Sequence, residues 1–289
     1  MQTGAKETII SSRLNSIMGM AVDWIGRNLY WTDEGLRAIF VASLENPEKR
    51  LLLLSENLTH PRSITVDPTH GVMYWTNWPP GPPIEAETQG QIEVAWLDGS
   101  HREIFIDESI IWPNGLSLDF EAGRIYWCDS YLQKIESASI LAGSKDRKVH
   151  LTEATLSQPY GLTLHKKAIF WSEFEKGRVL RLDLTTSNVS VVLEENPQSF
   201  DLKVFDPDRQ PRVDHPCNNG GHKCSDLCLV VPEKGQNGGH TCRCRDGSTL
   251  LAEDGVTCQA IANWTPPSHC RANQFQCKTN LKCIDERYV

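Results

Sequence analysis

Short runs of alternating apolar and polar residues fill the first 212 positions of the chain. In "RVLRLDL" (178–184) leucine occupies every second position, with arginine and aspartate between. This period of two is that of a half-buried β-strand. Similar runs, "GLTLH" (161–165), "IFWSE" (169–173) and "VSVVL" (189–193), surround it and are separated by turn residues. The pattern predicts an all-β chain with four short strands in roughly every 40 to 50 residues.

This group of four predicted strands recurs around an aromatic tetrad. The tetrads are Tyr30-Trp31-Thr32-Asp33, Tyr74-Trp75-Thr76-Asn77, Tyr126-Trp127-Cys128-Asp129 and Phe170-Trp171-Ser172-Glu173. The segment 78–90, rich in proline, glycine and acidic residues, lengthens the second repeat, and such a composition indicates a loop. Four strands per repeat are typical of a β-propeller blade. We expect the aromatic side chains to fill the layers between blades and the last residue of each tetrad to accept hydrogen bonds.

The segments beside the four repeats have the character of single strands. "ETIISSRL" (7–14) suits an outermost strand, and "FDLKVFD" (200–206) an innermost one. We therefore predict an incomplete propeller in residues 1–212, with four full blades and one strand at each end. No signal peptide is recognisable at the N-terminus, and no run reaches the 18 or so apolar residues of a membrane span. These features predict a piece of a longer chain.

Nine of the ten cysteines lie at or after Cys217, in a segment with little apolar sequence. Such segments are usually held together by disulfides, which persist in oxidising compartments, so we expect the protein outside the cytosol. The tenth cysteine, Cys128, stands where the other tetrads have Thr32, Thr76 and Ser172. We therefore predict a small buried side chain there and not a reactive thiol.

Charge and motifs exclude several classes of function. The net charge of −8 argues against nucleic-acid binding, which requires clustered lysine and arginine. A hydrolase on a propeller would need histidines and carboxylates, or a metal, in the central channel. H-E-x-x-H, G-x-S-x-G and phosphate-loop motifs do not occur in the sequence. We predict a binding protein without catalytic residues.

The first six of the clustered cysteines have the spacing C-x6-C-x3-C-x13-C-x-C-x13-C. Sequence alone allows 15 pairings of them. Residues 213–259 resemble an epidermal-growth-factor-like module, and the resemblance implies the pairs Cys217–Cys228, Cys224–Cys242 and Cys244–Cys258. "RVDHPC" offers a single aspartate ahead of the first cysteine, so we expect no calcium there. The spacing also differs from that of a zinc site, and no metal site is predicted.

Residues 260–289 comprise a linker and the cysteines Cys270, Cys277 and Cys283. They resemble the opening half of a class A module of the low-density lipoprotein receptor. Calcium is expected only in the full module, whose acidic ligands are absent from this sequence. No cofactor is therefore expected in this chain.

A tetrad propeller followed by these two modules resembles the low-density-lipoprotein-receptor-related family. The resemblance implies a six-bladed propeller and an endocytic receptor anchored as a type I membrane protein. It implies glycosylation, a location on the extracellular side of the cell surface and in endosomes, and release of ligands after acidification. The partners it implies are protein or lipoprotein ligands with basic surfaces and other modules of the parent chain. The alternative is a secreted matrix or growth-factor-precursor protein that uses the propeller as a binding platform.

Strand direction determines which residues could bind these partners. Because successive strands are antiparallel, the loop entering each innermost strand and the loop leaving each tetrad strand lie on one face, which we call the upper face. The alternative for each of its side chains is packing over the central channel or against a neighbouring blade. The candidates on this face are Glu34, Arg62, Trp78, Trp112, Asn114, Tyr131, Tyr160 and Phe174.

The sequence also contains a candidate pH-sensitive histidine and candidate glycosylation sites. His60 lies in the same loop as Arg62 and is a candidate pH switch, since imidazole titrates between the pH of the cell surface and that of endosomes. His165 should lie on the opposite, lower face. The sequence also has N-x-S/T glycosylation sites at Asn57, Asn188 and Asn263.

Overall fold

The computed structural model describes residues 7–81, 89–152, 156–194, 201–232, 239–246 and 249–260. Sixteen strands form four sheets, each a meander of four consecutive antiparallel strands. Blade 1 comprises β1 (Ile17–Asp23), β2 (Asn28–Asp33), β3 (Ala38–Ser43) and β4 (Arg50–Leu54). Blade 2 comprises β5 (His60–Asp67), β6 (Val72–Trp78), β7 (Gln91–Trp96) and β8 (Glu103–Ile106). Blade 3 comprises β9 (Pro113–Asp119), β10 (Arg124–Asp129), β11 (Lys134–Ser139) and β12 (Gly143–Leu151). Blade 4 comprises β13 (Pro159–His165), β14 (Ala168–Glu173), β15 (Arg178–Asp183) and β16 (Val189–Leu193).

The prediction of four full propeller blades is thus confirmed. The first strands of adjacent blades, β1, β5, β9 and β13, contact one another in order and surround the axis. Each tetrad lies on the second strand and points its two aromatic side chains to opposite sides of the sheet. Buried clusters between adjacent blades pair Tyr30 with Trp75, Tyr74 with Trp127, and Tyr126 with Trp171. The repeated aromatics therefore form the layers between blades, as the sequence predicts.

The prediction of a strand at each end is wrong. Residues 7–14 and 201–206 have no strand, because no neighbouring segment among the described residues completes a ladder with them. Residues 201–206 nonetheless follow blade 4 in space: a Cβ on Gly161 would lie 2.7 Å from the Cα of Asp201. A Cβ on Gly19 would likewise lie 2.7 Å from the carbonyl oxygen of Arg62 on the next blade. Residues 201–206 therefore lie where the innermost strand of a fifth blade would lie, but they form no strand hydrogen bonds.

The segment after residue 206 runs along the lower face. It contains a 3₁₀ helix (Pro207–Arg209) and the short helix α1 (Pro216–Asn219). Arg209 donates a hydrogen bond to the carbonyl of Leu118 at 3.0 Å, and Trp24 Nε1 donates to the carbonyl of Pro211 at 3.2 Å. His165 Nε2 lies 2.8 Å from Asp206 Oδ2 on this face. The predicted position of His165 on the lower face is confirmed.

Residues 213–259, which we call the disulfide module, contain β17 (Leu227–Val230), β18 (His240–Arg243), β19 (Thr249–Leu251) and most of β20 (Cys258–Ala260). The disulfides are Cys217–Cys228, Cys224–Cys242 and Cys244–Cys258, which are the implied pairs. Leu227 and Leu229 join the buried cluster of blades 1 and 2. The module therefore covers the lower face of these two blades.

No helix in the described part of the chain is long and apolar enough to cross a membrane. Residues 261–289, with Cys270, Cys277, Cys283 and Asn263, lie outside the described residues.

Candidate ligand-binding face

The last residue of each tetrad holds the upper-face loops together. Asp129 accepts hydrogen bonds from the backbone N–H groups of Ile111, Trp112, Tyr131 and Leu132 at 2.7–3.3 Å. These groups belong to the loop that enters β9 and to the loop that leaves β10. Burial raises the pKa of Asp129, and the hydrogen bonds oppose that rise. The tetrad carboxylate is therefore a structural group that shapes the binding loops, as its sequence position predicts.

The third tetrad residue connects each blade to the next. Thr32 Oγ1 donates to the carbonyl of Arg62, and Cys128 Sγ donates to the carbonyl of Tyr160 at 3.2 Å. Cys128 is fully buried, and burial raises the pKa of its thiol well above the usual range. The structure thus places Cys128 as a buried neutral thiol in the role of a threonine, where a nucleophile would need a lowered pKa.

Arg62 occupies the centre of the upper face and contacts three blades. Its Nη2 lies 2.8 Å from Glu34 Oε1 on blade 1, and its Nη1 donates to the Tyr160 hydroxyl on blade 4 at 3.2 Å. Its guanidinium carbon lies 3.9 Å above the centre of the Trp78 ring on blade 2. The side chain is only 14% exposed, so these contacts are partly shielded from water. Arg62 therefore fixes the relative positions of Glu34, Trp78 and Tyr160.

An aromatic strip continues from Arg62 toward blade 3. The Trp78 and Trp112 rings stack with centroids 5.1 Å apart at 12°, and the edge of Tyr131 meets Trp112 at 5.4 Å and 71°. Trp78 Nε1 donates to the carbonyl of Pro113 at 2.7 Å, which fixes the plane of the strip. Tyr131 is 46% exposed, while both tryptophans are half-buried. The strip, defined as Trp78, Trp112 and Tyr131, is a preorganised apolar surface of the kind that anchors protein partners.

Two further candidates line the edge of this surface, and one is buried beneath it. Tyr160 and Phe174 of blade 4 lie 6.0 Å apart, and burial raises the pKa of Tyr160. Asn114 is only 2% exposed and donates through Nδ2 to Ser130 Oγ and to the carbonyl of Pro159. Its role on the upper face is therefore to link blades 3 and 4 and not to present a side chain to solvent.

The mouth of the central channel has two unused polar atoms. Arg62 Nε and Asn114 Oδ1 are buried and have no hydrogen-bond partner among the described residues. Both residues line a small cavity with Met18, Ser63 and Tyr160, large enough for about one water molecule. A buried donor and a buried acceptor left unpaired cost free energy. One water molecule, which can accept from Arg62 Nε and donate to Asn114 Oδ1, would satisfy the pair.

His60 shares the carboxylate that holds Arg62. Its Nδ1 lies 3.0 Å from Glu34 Oε1, the same oxygen that Arg62 contacts, and its side chain is 35% exposed. The sequence predicts that His60 and Arg62 share a loop, but the structure has both on β5. Their common partner on another blade is apparent only in the structure. The acceptors Asn57 and Asn188 of two glycosylation sites are exposed, as glycan attachment requires.

Exposed carboxylates outnumber exposed cations on the described upper-face loops. The acidic residues are Glu56, Asp107, Glu108, Glu175 and Glu194, against the cations Arg37 and Lys176. The sequence contains all seven, but they are spread over five loops, and only the propeller geometry brings them to one face. The upper face is therefore acidic around its aromatic strip.

Groups of possible metal ligands occur in the disulfide module. His222 lies close to Cys224 and Cys228, and Asp226 lies close to Cys244 and Cys258. All four cysteines are bound in disulfides. Their sulfur atoms are therefore not the thiolates that bind metals.

Comparison with known proteins identifies relatives of this chain. The family model described as low-density lipoprotein receptor repeat class B matches residues 27–68, from β2 to the end of β5. The vitellogenin receptor Yl of Drosophila melanogaster is 30% identical over 247 residues, 86% of this chain and 12% of that receptor. The low-density lipoprotein receptor-related protein 5-like protein of Homo sapiens is 30% identical over 216 residues, 74% of this chain and 81% of that protein.

Among solved structures, a chain of a nidogen/laminin complex matches with a TM-score of 0.58 and 30% identity. The match covers 68% of this chain and 69% of that one. This chain therefore spans a small part of the fruit fly receptor and most of the human protein.

Proposed function

The chain belongs to the low-density lipoprotein receptor repeat family, and on that premise we propose that its upper face binds protein ligands in the extracellular part of an endocytic receptor. The vitellogenin receptor among its relatives supports a receptor role. The stretches "WLDGSHREIF", "IIWPNGLSLD" and "QFQCKTNLKCIDERYV" support a closer relation to the α2-macroglobulin receptor or a paralogue. The corresponding protein would be a type I membrane protein located at the cell surface and in endosomes.

One observation carries this proposal: a preorganised aromatic strip lies beside Arg62 on the upper face. Trp112 and Tyr131 of the strip have exposed ring area, so a partner can reach them. The lower face of blades 1 and 2 is covered by the disulfide module. A ligand that places an apolar side chain on the strip would bury this exposed ring area.

The acidic loops favour a partner with a basic surface. Carboxylates around an apolar centre attract lysine and arginine from a distance and select against acidic partners. Protein or lipoprotein ligands of positive surface potential, and other modules of the parent chain, are the proposed partners. The role is binding, and we assign no catalytic residue and no cofactor to these residues.

The proposal is tested by selecting peptides from a random phage-displayed library on the chain at pH 7.4. The selected peptides, made synthetically, are then the probes for binding to Trp112→Ala and to Phe120→Ala. We expect Trp112→Ala to weaken most peptides by about tenfold, as loss of a central aromatic anchor does. Phe120→Ala removes an aromatic side chain, 39% exposed, from the lower face and is the matched control. Peptides that bind Trp112→Ala as tightly as the wild type would overturn the proposal.

Release at acidic pH is proposed to act through His60. Protonation of His60 would add positive charge next to Glu34, whose Oε1 already holds Arg62. The added charge competes with Arg62 for this oxygen and repels a basic ligand. The upper face would then lose both its geometry and part of its negative potential.

We expect His60→Gln, which keeps a hydrogen-bond donor without the charge, to abolish most of the acceleration of peptide dissociation at pH 5.5 relative to pH 7.4. Surface plasmon resonance with the selected peptides measures both off-rates. His165→Gln on the lower face is the control and should keep the wild-type ratio. An unchanged ratio in His60→Gln would remove His60 from the release mechanism.

A matrix protein is the second candidate function, favoured by the match to a chain of the nidogen/laminin complex. It would use the same upper face but would not be internalised. Uptake of a labelled selected peptide by cells that display the parent protein separates the two functions.

A further inference from the structure

A carboxylate is buried where the disulfide module meets blade 1. Asp23 ends β1, and its Oδ1 accepts hydrogen bonds from the N–H groups of Ile25 and Gly26 at 3.0 and 2.7 Å. Its Oδ2 accepts from Asn28 Nδ2 at 3.3 Å. Asp23 is 0% exposed. Every bond to this carboxylate therefore comes from a neutral donor of its own turn.

The same turn occurs in blades 2 and 3 in different surroundings. Asp67 accepts from Thr69 N at 3.0 Å and lies 2.7 Å from His70 Nδ1. Asp119 accepts from backbone N–H groups at 3.0 and 3.1 Å and is partly exposed. Asp67 is also buried, but it has a histidine beside its carboxylate, whereas Asp23 has neutral donors only.

Asn28 connects this turn to the module. The Nδ2 that binds Asp23 also donates to the carbonyl of Cys228 at 2.9 Å. Leu227 and Leu229, on either side of Cys228, are fully buried in the interface. Separation of the module from the propeller would therefore expose Asp23 to water.

Several other titratable groups lie at this interface. Tyr30, Asp98 and Arg243 are three of them, and Lys49 of blade 1 pairs with Asp226 of the module at 3.8 Å. Arg27, Glu45 and His222 line a cavity beside Gly26 and Asn28, and Asp246 of the module accepts a hydrogen bond from the N–H of Leu52. Burial raises the pKa of Tyr30 well above its ordinary value; the charges of Asp23 and Asp98 raise it further, and Arg243 lowers it. Arg243 donates to the carbonyl of Asp98 at 3.4 Å. Among the described residues, Asp23 has no ion pair to compensate its burial.

We propose that the disulfide module docks more tightly on blades 1 and 2 as the pH falls from 7.4 to 5.5, because Asp23 becomes neutral beneath it. The inference does not depend on the proposed function of the upper face. It identifies Asp23 as an acid-sensitive group of the propeller–module interface.

The direction follows from linkage. Burial raises the pKa of Asp23 from 3.8 to about 6, so the docked state binds the proton more tightly than a state with Asp23 in water. The stabilisation of the docked state by protonation of Asp23 is complete below pH 3.8 and is lost as the pH rises through about 6. With these two values, docking strengthens about fourfold between pH 7.4 and 5.5.

Other titratable groups destabilise the folded chain as the pH falls, so the effect of Asp23 must be measured at the interface itself. Burial lowers the pKa of His215 in the module and of His150 in blade 3. A histidine with a lowered pKa destabilises the folded state as the pH falls, which would mask Asp23 in a global unfolding measurement. The amides of Ile25 and Gly26 report on the interface itself, because their acceptor is Asp23.

The test is hydrogen–deuterium exchange of the 24–28 segment at pH 5.5 and 7.4, expressed as protection factors corrected for intrinsic exchange. In the wild type we expect about fourfold higher protection at pH 5.5. Asp23→Asn should remove this difference, because the amide does not titrate. Asp119→Asn changes the corresponding turn of blade 3. This variant should keep the wild-type difference in protection of the 24–28 segment between the two pH values.

A second measurement uses the wild type only and so does not depend on folding of a variant. The ¹³C resonance of the Asp23 carboxyl should titrate about two pH units above that of an exposed aspartate. Titration near 3.8, equal protection at both pH values, or a fourfold difference that persists in Asp23→Asn would each overturn the proposal.

Discussion

Replacing Trp127 by alanine is expected to lower the free energy of unfolding by about 3–5 kcal/mol. Trp127 is 0% exposed and packs between blades 2 and 3 with Tyr74, Ile92 and Leu116. The guanidinium of Arg147 also lies 5.1 Å from the centre of its ring. Truncation would open a large cavity in a layer that holds two blades together. Urea denaturation followed by circular dichroism measures the loss.

Tyr131→Ala is the matched control for this experiment. It also removes an aromatic ring from blade 3, but the ring is 46% exposed on the upper face, so we expect a change within about 0.5 kcal/mol. Trp127→Phe should lie between the two variants because it keeps most of the apolar volume. Equal losses for Trp127→Ala and Tyr131→Ala would contradict the assignment of the tetrads to the layers between blades.

The blade structure could be predicted from sequence because it repeats. Four tetrads in one frame identify the second strand of each blade, and the alternation of strands fixes which loops share a face. Cys128 was interpretable for the same reason, since Thr32 and Ser172 occupy its position in other repeats. The disulfide pairing came from resemblance, and the structure has the same three pairs.

The alternation of apolar and polar residues does not predict the burial of residues whose environment depends on contacts distant in sequence. Asn114 lies in a loop by sequence, but its amide reaches the carbonyl of Pro159 on the next blade and is buried. Asp23 has the sequence of an ordinary turn, and only the disulfide module, about 200 residues later, buries it. Residues 7–14 have apolar content suited to a strand, but strand formation requires a hydrogen-bonded neighbour.

Replacing Arg62 by methionine is expected to weaken binding of the selected peptides about 30-fold or more, the loss typical of a central hot spot. The change removes three contacts of the Arg62 guanidinium at once: the ion pair with Glu34, the cation–π contact with Trp78 and the hydrogen bond to the Tyr160 hydroxyl. Methionine keeps much of the side-chain length, so the loss reflects the charge and its hydrogen bonds. The aromatic strip would lose its fixed orientation, and Glu34 would remain half-buried with His60 as its partner.

Arg37→Met provides the control for this last variant. Arg37 is an exposed arginine in the upper-face loop that also contains Glu34, so its loss changes the net charge of the face equally without disturbing the three-blade contact. Because exposed charges act mainly through the long-range potential and the proposed partner is basic, we expect Arg37→Met to strengthen binding by at most about threefold, an effect that disappears at high salt. Isothermal titration calorimetry at two salt concentrations separates the variants. If the two variants change binding by the same factor in the same direction, the upper face recognises its partner through net charge, and the central position of Arg62 has no special role.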